Sequence, residues 1–266
     1  MNRLGKSSKS KRAKQPGQTR PSTSASTAGQ SRPTSASRSN KKRNDRIFMF
    51  MIPVAIVVLL GLIFVLNKQG EQIKQDEVLN RPAVQFDLTG QPTLGSTEAK
   101  VSIVEFGDYK CPACKDWEET VFPQLKKDFI DTGKVKFTFI NYPFIDNSYL
   151  AANAAEEVFR QKPEAFWPYH EAIYHAQGKE QDNWVTTPLL VDLAKQVSSD
   201  IDVAKLEDAI EKQAHKDAIA QDLKLKDLAK VSGTPSVYVN GKEFTGQWDS
   251  YSELKTFIEN VLNEAK

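Results

Sequence analysis

From Ile47 to Leu66 the chain runs through twenty apolar residues, IFMFMIPVAIVVLLGLIFVL, without a single charge. As a helix rising 1.5 Å per residue, this segment spans roughly 30 Å, the hydrocarbon thickness of a bilayer. A helix in a soluble core would show polar positions every third or fourth residue, and this one shows none. Pro53 and Gly61 do not disqualify it, since both occur in membrane helices. The reading is one transmembrane anchor over residues 47–66. Lys41, Lys42, Arg43 and Arg46 crowd its N-terminal end, whereas the far side opens NKQGEQIKQDE, mixed in sign. The positive-inside rule then sets the N-terminus in the cytoplasm and residues 67–266 outside, on a single-pass protein of the cell membrane. A cleaved signal peptide fits less well: an n-region of 46 residues and an apolar region of twenty are both too long, and no A-x-A follows.

The same segment divides the charge. Residues 1–46 hold 13 Lys and Arg against one acid, Asp45, and 14 Ser and Thr, so this +12 tail buries too little to offset its chain entropy and is expected to be disordered. Residues 67–266 carry 23 basic and 33 acidic side chains, a net −10. That remainder is large enough for a proper core. Its acidity argues against nucleic acid as a partner, because neutralising phosphates takes a basic footprint. Residues 67–93, polar and broken by Pro82, Gly90 and Pro92, read as a stalk.

Beyond the stalk, VSIVEF (101–106) is a nearly continuous β-branched run of the kind that forms a buried strand. A turn at 108–110 precedes Pro112, where a helix begins, with Trp117, Val121, Phe122, Leu125 and Phe129 on one stripe and a kink at Pro123. Residues 135–142 alternate as a second strand. From 148 to 230 the apolar spacing is helical throughout. Residues 236–240 and 242–246 read as a hairpin turned at Asn240-Gly241, and 250–263 as a closing helix. Parallel pairing of a strand–helix–strand unit plus an antiparallel hairpin gives an α/β fold, a small mixed sheet with helices on both faces.

The chain has two cysteines, Cys111 and Cys114, so a disulfide-stapled scaffold is excluded and both belong to one CPAC motif. With Cys111 capping a helix, its sulfur meets free backbone N–H groups and the positive end of the helix dipole, and both favour thiolate over thiol. Pro112 suits the first helical position. Cys114, one turn deeper, can close a small ring with Cys111. A low-pKa thiolate leaves readily, so the closed disulfide donates oxidising equivalents. Structural zinc would need further ligands. No further cysteine exists, His170 and His175 are five apart and off one helix face, and His215 is isolated, so the three histidines read as packed or solvated side chains. Thr234-Pro235 stands just before a strand. An ordinary trans proline at a strand start and a cis bond freeing the Thr234 backbone for an incoming peptide are both compatible with that position.

EFGDYKCPACK, a helical insert, then SGTPSVYVNG resembles, in that order, the DsbA-like thiol–disulfide oxidoreductases of the thioredoxin superfamily, most nearly the membrane-anchored versions of Gram-positive bacteria. The resemblance covers about residues 94–264. It implies a thioredoxin fold with an inserted all-helical domain: residues 94–147 and 231–266 form the thioredoxin-like part and 148–230 the insert. It implies Cys111 as the attacking and leaving sulfur, Cys114 as its partner, a cis Pro235, and Thr234, Pro235, Pro112 and Ala113 as the surface that meets substrate. Glu105 matches the family's buried acid near the active site, although an exposed strand carboxylate also fits its place in the sequence. The expected activity is oxidation of thiols in exported proteins, with the Cys111–Cys114 disulfide in place of any cofactor or catalytic metal. The acidic residues around the insert leave a structural cation open. With no second cysteine pair, re-oxidation falls to a separate protein, a quinone-coupled membrane thiol oxidase. Strong oxidants of the family carry a histidine between the cysteines, and Pro112-Ala113 departs from that. Cys111 is therefore expected at a pKa of roughly 4–6, between strong oxidants and reductants. A reductase or isomerase on the same fold and a non-enzymatic tethered binder are the alternatives.

Overall fold

The computed structural model describes residues 44–79 and 82–264. The basic tail expected over 1–46 lies almost wholly outside them. The first element, α1 (Asn44–Leu79), is one continuous helix with Pro53 inside it. Its stretch Met51–Gly70 is long and apolar enough to cross a membrane, and the side chains from Met51 to Leu66 are exposed.

The stalk expected over 67–93 resolves into two structured parts. Residues 67–79 continue α1, because Lys, Gln and Glu are good helix formers and Gly70 alone interrupts them. Residues 82–94 belong to the folded domain. Val84, Phe86 and Leu88 pack against Val104, Phe106, Ile140, Val231 and Tyr238, with Phe86 edge-on to Tyr238 at 5.5 Å. The segment ends in β1 (Thr93–Leu94).

The sheet has five strands in the order β1-β3-β2-β4-β5. Its centre is β2 (Val101–Gly107) and β3 (Val135–Asn141), which pair in parallel. Both are buried nearly end to end, as expected of strands covered on both faces. β4 (Ser236–Val239) runs antiparallel to β2, and β5 (Lys242–Glu243) to β4. The turn between β4 and β5 holds Asn240 and Gly241 at φ 47° and 76°, the signature of the tightest hairpin turn. Gly241 is required there twice over, because a Cβ would come within 2.1 Å of the Val84 carbonyl oxygen. The second hairpin strand is shorter than the five residues read from the sequence.

The crossover from β2 to β3 begins with α2 (Pro112–Thr120). The break expected at Pro123 falls two residues earlier, at Val121. Pro123 lacks an N–H and its ring collides with the carbonyl four residues back, so the helix restarts as the single turn α3 (Phe122–Leu125) with the proline in its first turn. A π-helical turn, Lys126–Ile130, follows. Between β3 and β4 come α4 (Ser148–Gln161), α5 (Phe166–His175), α6 (Thr187–Val197), α7 (Val203–Lys212) and α8 (Lys216–Ala229). The first four share one core, which also takes in Tyr109, Cys111, Cys114 and Phe139. α8 does not: Leu225 and Ala229 return to the sheet beside Val104 and Phe106. The closing helix α9 (Tyr251–Glu264) covers the opposite face, packing Leu254, Phe257, Ile258 and Val261 with Trp117, Leu125, Phe137 and Val237.

Candidate active site

The end of β2 delivers the chain to the cysteines. Asp108, buried, accepts from the N–H groups of Lys110, Phe144 and Ile145 and from the Ser148 hydroxyl, at 2.8–2.9 Å. Its carbonyl accepts from the Cys111 N–H at 3.0 Å. One carboxylate thereby ties the β2 exit to the loop after β3 and sets the entry to α2. Gln177 fastens the same turn from the insert, donating to the carbonyls of Tyr109 and Cys111 at 2.8 and 3.1 Å.

Cys111 is the N-cap of α2 with Pro112 at the first helical position. The two sulfurs are unbonded, and Cys111 is 7% exposed against 0% for Cys114. Pro112 is exposed and Ala113 half-buried beside them. Across from α2, the Thr234–Pro235 bond is cis, and the Cys111 thiol donates to the Thr234 carbonyl at 3.5 Å. The CPAC turn and the Thr-Pro turn, far apart in sequence, therefore meet at Cys111.

The two thiols are driven apart electrically. The Cys114 thiol, donating to Cys111, is the main cause that holds the Cys111 pKa at about 6, below its ordinary 9.0. Thr234 and the N–H groups of Cys114 and Ala113 act in the same direction and outweigh partial burial. Cys114 moves the other way: burial pushes its thiol well up, and the pairing with Cys111 and the charge of Glu105 add to this.

Glu105 is a buried acid, not an exposed strand carboxylate. It is 2% exposed and pairs in register with Phe139 and Val237. Sharing strand parity with Val101 and Ile103 turns it toward the α2 side of the sheet. Burial first, then Glu118 and Cys111, raise its carboxyl well above the usual range.

Two neighbours, Glu118 and Tyr109, escaped the sequence reading, and a third, His170, was read as a packed or solvated side chain and is packed. Glu118 of α2 is 6% exposed and His170 of α5 is 1% exposed, with His170 Nε2 lying 3.6 Å from Glu118 Oε2. Tyr109 meets His170 Nδ1 through its hydroxyl at 3.0 Å. The signal for Glu118 was present: it stands four residues after Cys114 on the stripe that carries Trp117 and Val121, an acid on a buried face. Of the other two histidines, His175 is exposed and His215 contacts Glu157. Among the described residues no three His, Cys, Asp or Glu side chains come together as a metal site.

Residues 87–260 match the thioredoxin family model. The disulfide bond formation protein D of Bacillus subtilis is 40% identical over 197 residues, 74% of this chain and 86% of that protein. The chain belongs to this thioredoxin family. Another relative, the probable disulfide bond formation protein D of Bacillus anthracis, is 36% identical over 79% of this chain and 93% of its own length. The crystal structure of oxidised BdbD from B. subtilis matches with a TM-score of 0.65 and 40% identity, covering 68% of this chain and 97% of the other. The thioredoxin-family match begins at residue 87, inside the segment that packs onto the sheet and before β1.

Proposed function

We propose that this chain, a thiol–disulfide oxidoreductase by family, introduces disulfide bonds into exported proteins while anchored in the cell membrane. The anchor is the apolar stretch of α1, with the N-terminus cytoplasmic and the catalytic domain outside. Four basic residues at 41–46 against a mixed far side support that orientation, and the persistence of disulfides outside the cytoplasm supports oxidation there.

In this reading a client thiolate attacks Cys111 Sγ, the Cys111–Cys114 bond breaks, and Cys114 leaves and takes up a proton. A second client thiolate then attacks the client sulfur of the mixed disulfide and displaces Cys111 as a thiolate. Two electrons have moved from the client to the cysteine pair, which serves as the redox group without a metal or organic cofactor. Pro112 and Ala113 on one side and Thr234 and Pro235 on the other form the surface that the client segment meets, and Glu105 exchanges the proton of Cys114. A quinone-coupled membrane thiol oxidase removes the two electrons, since the chain has no second cysteine pair.

The observation that carries this is the division between the thiols, one lowered to about 6 and the other raised. Cys114→Ala removes the resolving sulfur and should accumulate mixed disulfides between Cys111 and client proteins, visible on non-reducing gels. Cys111→Ala should trap none. The reverse pattern would overturn the roles.

A further inference from the structure

A second cleft opens along the seam between the thioredoxin part and the insert. It holds about 660 Å³ and takes its walls from both: Leu94 of β1 and Phe122 of α3 from one, Phe159 of α4 and Trp167 of α5 from the other. Neither cysteine, nor Thr234 or Pro235, lines it, so thiol exchange does not account for it. Its volume falls in the usual range for a site that takes a small molecule, about 300–1,000 Å³. The walls are largely apolar and aromatic, with the Phe122 and Trp167 rings nearly parallel, 18° apart in plane and 6.2 Å between centroids.

An acid lies buried among these walls. Glu118 of α2 lines the cleft at 6% exposure. Its Oε2 is buried without a hydrogen-bond partner, because His170 Nε2 stops 3.6 Å away and is itself without one. A buried acceptor left without a donor is costly, more so when charged. Leucine or methionine on this face of α2 would fill the same space at no such cost. The free charge at the mouth has the same sign. Glu164 and Glu171 stand exposed at the rim, where Lys162 divides its charge between Glu164 and Asp200. Lys126, the cation lining the cleft, is held by Asp131 at 2.6 Å.

We propose that this cleft binds a small organic cation: an ammonium or amidinium group that donates to the Glu118 carboxylate, carried on a flat apolar body that lies against Phe122 and Trp167. A cation brings the donor that Glu118 lacks, and the aromatic faces attract the same charge. A neutral apolar molecule would leave the carboxylate unsatisfied, and an anion would meet Glu118, Glu164 and Glu171 together. The site is separate from the proposed function, since no cysteine takes part in it. Its walls come from β1 and α3 on one side and from α4 and α5 on the other, so an occupant braces the insert against the thioredoxin part. Binding therefore raises the melting temperature by mass action.

The probes are benzamidine, its neutral isostere benzamide and the anion benzoate, each titrated by calorimetry into the full-length protein in detergent. Benzamidine should bind with a dissociation constant of about 1 mM or below, as fits a ligand of its size. It should bind about tenfold or more tightly than benzamide, the margin of a charge-assisted hydrogen bond, and benzoate should bind weakest. Glu118→Gln keeps the shape and removes the charge, so it should bring benzamidine down to the affinity of benzamide and abolish its effect on the melting temperature. Glu171→Lys, at an exposed position, should weaken benzamidine and strengthen benzoate. If Glu118→Gln does not fold, the order of the three probes on wild type and the response of Glu171→Lys decide. Benzamidine that does not bind, that binds no more tightly than benzamide, or that binds folded Glu118→Gln as it binds wild type overturns the site. So does a loss reproduced by Glu259→Gln, which would move the binding to the separate cleft beside Phe129 and Leu262.

Discussion

Cys111 and Cys114 are one helical turn apart, yet their surroundings make one thiol acidic and the other inert. The difference is local: the sulfur at the helix start meets backbone N–H groups of the first turn, while the sulfur inside that turn is buried in apolar packing and feels the Glu105 charge. This has a consequence for stability in the reduced state. The Cys111 pKa falls from an ordinary 9.0 to about 6 on folding. A depressed pKa adds stability that is complete above 9 and is lost as pH falls through 6. At pH 7, one unit above the folded value, the contribution is about 1.4 kcal/mol. The disulfide form has no thiolate and gains nothing from this. The melting temperature of the reduced protein minus that of the oxidised protein should therefore rise between about pH 6 and 9, and calorimetry on the two forms checks it. A difference flat with pH would remove the thiolate as its source.

At the scale of elements, the strands and helices with strong local patterns were legible in the sequence: the β-branched runs at 101–106 and 135–142, the Asn240-Gly241 turn, the apolar stripe of the last helix, and Cys111 and Pro112 at a helix start. The less legible pieces depend on contacts made far away. Val84, Phe86 and Leu88 alternate as a strand would, but the prolines and glycine around them masked a segment that only the finished sheet can order. Here the expected cost of Phe86→Ala is about 2 kcal/mol in denaturant unfolding, below the 3–5 of a fully buried phenylalanine because the ring is half-buried. An unchanged midpoint would mean that residues 82–94 contribute nothing to the domain. α8 was read as part of the helical insert because its spacing is helical, and spacing does not say which neighbour a face will find. Glu118 was passed over, and His170 read only as packed or solvated, for a related reason, since each lies on an otherwise apolar face whose partner comes from another element.

For the molecule as a whole, the active site sits at a seam. Cys111 and Cys114 share the core of α4–α7, whereas Trp117, one turn further along the same helix, packs with the sheet and α9. The insert thus supplies His170 and Gln177 to a centre whose cysteines and Glu105 come from the thioredoxin part. The central claim is that this centre favours the reduced state enough to oxidise others. Its most direct measurement is the reduction potential of the Cys111–Cys114 couple in the full chain, equilibrated against a glutathione buffer. Thioredoxin, with a thiolate pKa near 7, lies at about −270 mV, and DsbA, near 3.5, at about −120 mV. One pKa unit corresponds to about 30 mV for two electrons. With Cys111 at about 6, the account predicts a potential above about −240 mV and below that of DsbA. A value at or below about −270 mV would contradict it and place the centre with the reductants.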